Sequence, residues 1–141
     1  MFIDASVLVA ILKGEPDAGL LLGRLTESRS TPLVSAISRF EATASIAAAR
    51  ARSQGRARAA AEDFGLAQEL VDELVAELKA RDAPISERVG RVAIEAARTY
   101  GKLVGHPADL NMGDCFAYAC AKVYGAQLLY KGQDFSETDL A

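Results

Sequence analysis

The sequence predicts one α/β domain in three layers, in which a short parallel sheet is covered by helices on both faces. Four short apolar runs alternate with stretches of helical spacing, and the runs lack the period-two pattern of half-exposed strands. The 141 residues are enough for one core and too few for two. We therefore expect a single domain over residues 1–141, without an internal repeat or a linker.

The first half of the chain contains two predicted strands and three predicted helices. Pro16 opens the second helix, because proline is favoured in a first helical turn. After the second strand the spacing changes to residues three and four apart, which predicts a third helix. The apolar stripe of this helix is Ile37, Phe40, Ala44, Ala47 and Ala48. In chain order the elements are a strand at 2–4, a helix at 7–12, a helix at 16–27, a strand at 32–36 and a helix at 37–52.

The second half adds three helices and two strands. The region of Gly55 interrupts the helical pattern before an amphipathic stretch begins. Ser86 is the expected N-cap of the next helix, whose apolar face runs from Val89 to Leu103. In chain order the elements are a helix around 70–78, a strand at 82–85, a helix from 86 to 103, a loop at 106–112, a helix at 113–124 and a strand at 127–130.

Composition and charge argue against several classes of protein. The longest apolar run, Val7 to Leu12, is far shorter than the roughly 20 residues of a membrane-spanning helix. No basic segment precedes the first apolar stretch, as it does in a secretory signal, so we expect a cytoplasmic protein with no membrane partner. The net charge of −3 does not indicate a general nucleic-acid binder, which presents a basic surface.

The cysteines are expected to be small buried side chains in a reducing compartment. Cys115 and Cys120 lie five residues apart in a helical segment, so their side chains point to different faces and do not favour a disulfide. The chain has a single histidine, His106, and so lacks the second Cys or His pair that a zinc site needs.

Four acidic residues stand where function is expected in such a fold. Ligands of parallel sheets bind outside the carboxyl ends of the strands, and Asp4 and Asp134 each follow a predicted strand. Asp114 lies in the first turn of its helix, where the helix dipole favours an anion. Glu41 lies on the apolar stripe of the third helix and not on the polar face, where a charged residue is usually found.

Each acid also has an ordinary structural interpretation. Asp4 and Asp114 could cap helices, and Asp134 could be a turn residue. Glu41 could form a buried ion pair with Arg39. As a set, however, four converging carboxylates repel one another unless a multivalent cation lies among them. Ligands that are all oxygen suit Mg²⁺ or Mn²⁺, and either ion can activate a water for phosphodiester hydrolysis.

One basic cluster stands out against the negative overall charge. It lies around a Ser-Gln-Gly break and has two interpretations that the sequence leaves open, a solvated helix end or a contact surface for the phosphates of RNA. Its members are Arg50, Arg52, Arg56 and Arg58.

Several segments together resemble a PIN-domain protein, and in particular a VapC-type toxin. They are "FIDASVLVAIL", "SRFEA", "LNMGDCFAYACAK" and "LLYKGQDFSETDL", and the resemblance runs the length of the chain. It implies that Asp4, Glu41, Asp114 and Asp134 are the metal-binding acids and that Ser6 helps to hold the site. Asn111 and Thr138 stand where the family often has polar residues near the site. Asp109 and Asp139 are further acids close by.

The resemblance also implies an activity and its partners. Such toxins are Mg²⁺- or Mn²⁺-dependent endoribonucleases that cut cellular RNA, often tRNA or ribosomal RNA, and so stop growth. Each is paired with a VapB-type antitoxin, and family members commonly form homodimers. The expected reaction is in-line attack of water on the scissile phosphate, which leaves a 5′-phosphate on one product.

Two other classes also place an aspartate after the first strand. A phosphohydrolase of the haloacid-dehalogenase type normally has a second Asp two residues on, where this chain has Ser6. A receiver-like switch would use Lys131 as its sensor, but that interpretation leaves Glu41 without a task. A PIN-like scaffold that binds a partner without cutting RNA is a third alternative, and the intact set of acids argues against it.

Overall fold

A four-stranded parallel sheet forms the centre of the computed structural model, which describes residues 1–141. Every pair of neighbouring strands runs parallel, and the spatial order is β3-β2-β1-β4, so that the first strand is internal. The strands are β1 (Phe2–Ile3), β2 (Leu33–Val34), β3 (Arg81–Asp82) and β4 (Leu128–Leu129). The predicted α/β class with a short parallel sheet is confirmed.

Helices fill most of the remaining chain, and each predicted helix is present. They are α1 (Ala5–Lys13), α2 (Ala18–Glu27), α3 (Ala36–Ser53), α4 (Ala61–Glu77), α5 (Glu87–Tyr100) and α6 (Met112–Val123), with a single 3₁₀ turn at Lys102–Val104. None of these helices combines the length and the apolar character that crossing a membrane requires.

Alternating side chains of the two-residue strands divide the core into two halves. Phe2 and Leu128 point to one face of the sheet and pack into a core with α5 and α6. Ile3 and Leu129 point to the other face and pack into a core built mainly from α1, α2 and α4. Phe2 and Ile3 are both fully buried, and the burial of each contributes about 1.5–3 kcal/mol to folding. This alternation produces the three layers.

Side-chain caps fix where the helices begin. Asp4 caps α1 directly after β1, and Ser35 caps α3 directly after β2, so both helices start at the carboxyl edge of the sheet. The Ser86 hydroxyl accepts from the Val89 backbone N–H at 3.3 Å, which confirms the predicted cap of α5. Short links from strand to helix therefore hold these polar side chains at one edge.

The predicted apolar faces of α3 and α5 are wrong in part. Phe40 is 68% exposed, because the buried face of α3 runs through Ser38, Ala42 and Ile46 instead. Leu103 is 96% exposed, because α5 ends at Tyr100 and the 3₁₀ turn carries the chain away from the core. Helical spacing alone does not show which of two neighbouring stripes faces the sheet.

Two smaller predictions have different outcomes. The third strand is offset from the predicted 82–85 and comprises Arg81 and Asp82, both of which are exposed at the edge of the sheet. Both cysteines are buried and free, as expected. Burial raises the pKa of the Cys120 thiol to about 11, which keeps this thiol protonated and unreactive.

Candidate active site

The four predicted acids line one open cavity of about 430 Å³ at the carboxyl edge of the sheet. Its wall holds five carboxylates and a single cationic side chain, that of Lys131. The complete lining is Asp4, Ala5, Ser6, Val9, Glu15, Glu41, Ser45, Asp114, Lys131, Gly132 and Asp134. Residues from both ends of the chain and from its middle thus meet at this edge, and we call this space the acidic cavity.

Asp4 is the most deeply buried acid of the cavity and is only 7% exposed. Its Oδ2 accepts the Ser6 backbone N–H at 2.9 Å and the Ser6 hydroxyl at 2.5 Å. Burial raises the pKa of Asp4 in spite of these bonds, and the negative charge of Asp134 raises it further. The Ser6 hydroxyl also accepts the backbone N–H of Lys131 at 3.0 Å, so Ser6 connects β1 to the loop after β4.

Asp114 combines a structural bond with an acidic environment. Its Oδ2 accepts the Asn111 backbone N–H at 2.9 Å, and the Asn111 side chain accepts the Asp114 N–H at 3.2 Å, which forms a capping box at the start of α6. Burial and the charges of Asp4, Asp134 and Asp109 nevertheless raise the pKa of Asp114 to about 6. Asn111 therefore supports the site by fixing the orientation of Asp114.

Glu41 is half-buried in the cavity, and no cation balances it. Burial raises its pKa to about 7, with further contributions from the charges of Asp4 and Asp114. The alternative ion pair with Arg39 is not formed, because that guanidinium binds Asp72 at 3.1 Å and Asp82 at 2.9 Å.

The backbone of α6 packs directly against the Glu41 carboxylate. A Cβ atom placed on Gly113 would lie 1.9 Å from Glu41 Oε1. Only glycine leaves room for the carboxylate at this point, and α3 and α6 can therefore bring Glu41 and Asp114 to the same cavity.

Asp134 lies on the loop after β4 and is exposed at the cavity. Other polar residues named from the sequence lie outside. The buried Thr138 hydroxyl donates to the Phe135 carbonyl at 2.8 Å and so stabilises the C-terminal turn. Asp139 accepts from Tyr118 at 2.8 Å and from Lys122 at 2.6 Å. Asp109 is exposed and 3.8 Å from Lys102. The supporting role named for Thr138 is therefore corrected to a role in the fold.

The arginine cluster also lies outside the acidic cavity. Arg50 lies 3.2 Å and Arg56 2.7 Å from Asp63, a carboxylate that is only 2% exposed. The hydrogen bonds from Arg56 and from the Ala60 backbone N–H hold the pKa of Asp63 far below its usual range, and the charge of Arg50 lowers it further. Arg52 and Arg58 are exposed. Arg50 and Arg56 connect α3 to α4 through Asp63. Only Arg52 and Arg58 therefore remain as predicted RNA contacts of this cluster.

The ligands of the cavity suit a hard divalent cation by their chemistry. The charged donors are carboxylate oxygens, and neither a thiol nor an imidazole lines the wall. No three His, Cys, Asp or Glu side chains are placed to hold a metal ion by themselves. Mg²⁺ is commonly held by only one or two carboxylates and keeps several waters, so these donors fit its requirements.

Sequence reasoning missed three features of the site. The sequence predicts a role for Lys131 only as the sensor of a receiver-like switch, and it predicts no role for Glu15. The role of Gly113 depends on the approach of two helices that are distant in sequence. A signal for Lys131 was present, because it lies in the same "KGQD" turn as Asp134.

Comparison with known proteins identifies the family of this chain. The family model for the PIN domain matches residues 1–140. A VapC ribonuclease of Rhizobium meliloti (strain 1021) is 45% identical over 139 residues, which cover 99% of this chain and 98% of the relative. Ribonuclease VapC42 of Mycobacterium tuberculosis (strain H37Rv) is 38% identical over 140 residues, 99% of this chain and 96% of the relative.

A solved structure agrees at the level of the fold. It is that of Mycobacterium tuberculosis VapC20, described as a sarcin-ricin loop cleaving toxin, which is 17% identical with a TM-score of 0.66 over 96% of this chain and 92% of that one. The match supports neither the haloacid-dehalogenase nor the receiver alternative. The chain therefore belongs to the PIN-domain family, and within it to the VapC-type ribonuclease toxins.

Proposed function

We propose that this protein is a Mg²⁺- or Mn²⁺-dependent endoribonuclease and acts as the toxin of a toxin–antitoxin pair. The observation that carries the proposal is the meeting of Asp4, Glu41, Asp114 and Asp134 in one cavity without a cation that neutralises the set. The VapC-type relatives are ribonucleases, and the cavity is the place where this chain would carry out that activity. The substrate is cellular RNA, with tRNA and ribosomal RNA as the expected targets.

The residues of the cavity would have different roles in the proposed reaction. Asp4 and Asp114 would hold the cation, with Glu41 and Asp134 completing its surroundings. A bound divalent ion would neutralise the acids, orient a phosphate oxygen and make a water more acidic. Ser6 keeps Asp4 Oδ2 in place through two hydrogen bonds, and Asn111 does the same for Asp114 Oδ2. A carboxylate oxygen of the cavity would orient the attacking water and accept its proton.

We also propose that the chain assembles with a VapB-type antitoxin and with a second copy of itself. An apolar groove between α5 and α6 supports this, because contiguous exposed apolar side chains are typical of interaction surfaces. Ile94 is 72% exposed, Met112 70% and Leu103 96%. Light scattering of the purified chain, alone and with the antitoxin encoded beside it, tests the assembly.

The decisive experiment for the activity uses total RNA. We expect the purified protein to cleave it with Mg²⁺ or Mn²⁺ and to stop when EDTA is added. Asp4→Asn should lower the rate at least about 100-fold, since even residues that only orient metal ligands are worth 10–100-fold. Asn can still cap α1, so circular dichroism should be unchanged. Undiminished cleavage by this variant or in EDTA would contradict the proposal.

A further inference from the structure

We propose that Lys131 binds a phosphate of the RNA backbone at the rim of the acidic cavity. The inference rests on the proposed ribonuclease function and names a residue that recognises the substrate. Lys131 is the only cationic residue that lines the cavity, beside five carboxylates. A polyanion that enters this cavity therefore meets one protein cation, and its position decides where the backbone can lie.

The backbone of Lys131 is held at a fixed place relative to the acids. Its N–H donates to the Ser6 hydroxyl at 3.0 Å, and that hydroxyl donates to Asp4 Oδ2 at 2.5 Å. Two hydrogen bonds thus separate Lys131 from the most buried acid. Because only these two bonds intervene, the side chain of Lys131 starts close to the point where cleavage is proposed to occur.

The Lys131 ammonium is anchored at the rim but retains a free donor. Its Nζ binds Glu15 and also donates to Asp17 at 3.0 Å. A lysine ammonium has three N–H donors, so these two contacts leave one for a further acceptor. The lysine side chain is 34% exposed and lines the cavity, so it is accessible to a ligand there.

Other cations are poorly placed for this task. Arg50 and Arg56 are bound to Asp63 and do not line the cavity. Arg50 lies nine residues beyond Glu41 on α3, which corresponds to roughly 14 Å along a helix axis. Lys13 pairs with Glu15 at 3.0 Å and does not line the cavity. Lys131 is therefore the cation that the fold places on the wall of the cavity.

A purely structural role is the competing explanation. The ion pairs of Lys131 connect the segment after α1, which carries Glu15 and Asp17, to the loop that carries Asp134. A clamp of this kind would contribute to stability but would not change how RNA affinity depends on salt. The dependence on salt counts the phosphate contacts, so it separates the two roles.

The test measures binding of a fluorescently labelled, mixed-sequence single-stranded RNA by anisotropy across a salt series. All proteins carry Asp4→Asn, which prevents cleavage, and Mg²⁺ is present. Lys131→Met should weaken binding about 5–10-fold at low salt and reduce the salt slope by about 0.7, the value of one phosphate contact on a single strand. Lys131→Arg should keep the slope, because it keeps the charge.

The matched control removes the two carboxylates that bind the Lys131 ammonium and keeps the ammonium itself. Glu15→Gln combined with Asp17→Asn frees the ammonium and removes two negative charges, so RNA binding should tighten. A slope that is unchanged in Lys131→Met would overturn the inference, whether or not its melting temperature falls. Cleavage of total RNA by the otherwise wild-type protein is measured in parallel. Failure of that cleavage rejects the proposed function, whereas cleavage with an unchanged slope rejects only the role of Lys131.

Discussion

Two buried aspartates of this protein lie in opposite electrostatic environments. Asp63 is 2% exposed and meets two guanidinium groups, which lower its pKa far below the usual range. Asp4 is 7% exposed, and burial raises its pKa although the hydrogen bonds from Ser6 lower it; the negative charge of Asp134 raises it further. Both side chains expose little surface, but only Asp63 has guanidinium partners that offset the cost of burying its charge.

The difference separates an acid whose charge is balanced within the fold from one whose charge is not. A buried carboxylate is costly unless a counter-charge accompanies it. At Asp63 the protein supplies that counter-charge, and the acid joins α3 to α4. In the acidic cavity the fold supplies hydrogen bonds that aim Asp4 and Asp114 but leaves their charges unbalanced. The divalent cation that we propose for this cavity would supply the charge that the fold leaves out.

The largest expected effect comes from replacing one acid of the cavity, Asp114, and the arginine-bound acid, Asp63, each by asparagine. Asp114→Asn should lower RNA cleavage at least about 100-fold. It should keep or raise the melting temperature, because it removes one of several repelling charges while an amide oxygen can still accept from Asn111. Asp63→Asn should do the reverse, with a melting temperature lower by several degrees and normal cleavage per folded molecule. Cleavage assays and thermal unfolding of both variants check the pair.

The comparison fails if the two variants behave alike. A large loss of stability in Asp114→Asn with full activity would assign this acid to the fold. Loss of cleavage in well-folded Asp63→Asn would place the arginine-bound acid in the function.

A smaller effect is expected where the backbone makes room for Glu41. Gly113→Ala places a Cβ atom 1.9 Å from Glu41 Oε1, so the end of this flexible side chain must move. We expect cleavage to fall roughly 10-fold, as when a residue that orients a metal ligand is lost, with little change in melting temperature. Gly65→Ala is the matched control, since this glycine lies in α4 with nothing within 4 Å of a new Cβ.

The control should stabilise the protein by about 0.4–1 kcal/mol and leave cleavage unchanged. Urea unfolding and a cleavage assay on the same preparations give both quantities. Equal activity of the two alanine variants would show that the position of the Glu41 carboxylate has no part in the reaction.

The smallest effect is expected at the arginine cluster. Arg52→Gln with Arg58→Gln removes two exposed charges that lie outside the acidic cavity, so RNA affinity should fall only a few-fold and stability should not change. Arg50→Gln with Arg56→Gln should lower the melting temperature, because both side chains bind Asp63. Anisotropy and thermal unfolding separate the pairs. A larger loss of affinity than Lys131→Met produces would assign the main RNA contact to the cluster.

The sequence was sufficient to predict the sheet class and the meeting of the four acids. Both follow from local features, namely short apolar runs and the polar residues directly after them, as at Asp4. The roles of Asp63 and Gly113 were not predictable in this way. Each depends on a contact between helices that are distant in sequence, and no pattern within either helix records it.

The face of α3 shows the same limit on a smaller scale. The stripe that starts at Ile37 and the true face that starts at Ser38 differ by one residue, and both have helical spacing. Because Ser38 is polar, hydrophobicity favoured the wrong stripe and placed Phe40 in the core, although it is 68% exposed. Glu41 nevertheless reaches the cavity, since it lies at the border between the two faces.

The central claim is that the acids of the cavity lack a counter-charge from the protein, and the change of stability with pH measures this directly. Glu41 has an ordinary pKa of 4.5 that rises to about 7 in the folded chain, so between these values the folded state binds more protons than the unfolded state. This contribution is fully present below pH 4.5 and is lost as pH rises through 7. Asp63 titrates far below this window and contributes no slope there.

The measurement is the free energy of unfolding from pH 4.5 to 8, with and without Mg²⁺, for the wild type and Glu41→Gln. Without metal, the stability of the wild type relative to the variant should decline across this range. With Mg²⁺ at pH 8 the decline should be reversed, because a cation bound to the ionised acids stabilises the folded state. A relative stability that is flat or rises with pH, and that Mg²⁺ does not change, would contradict the account.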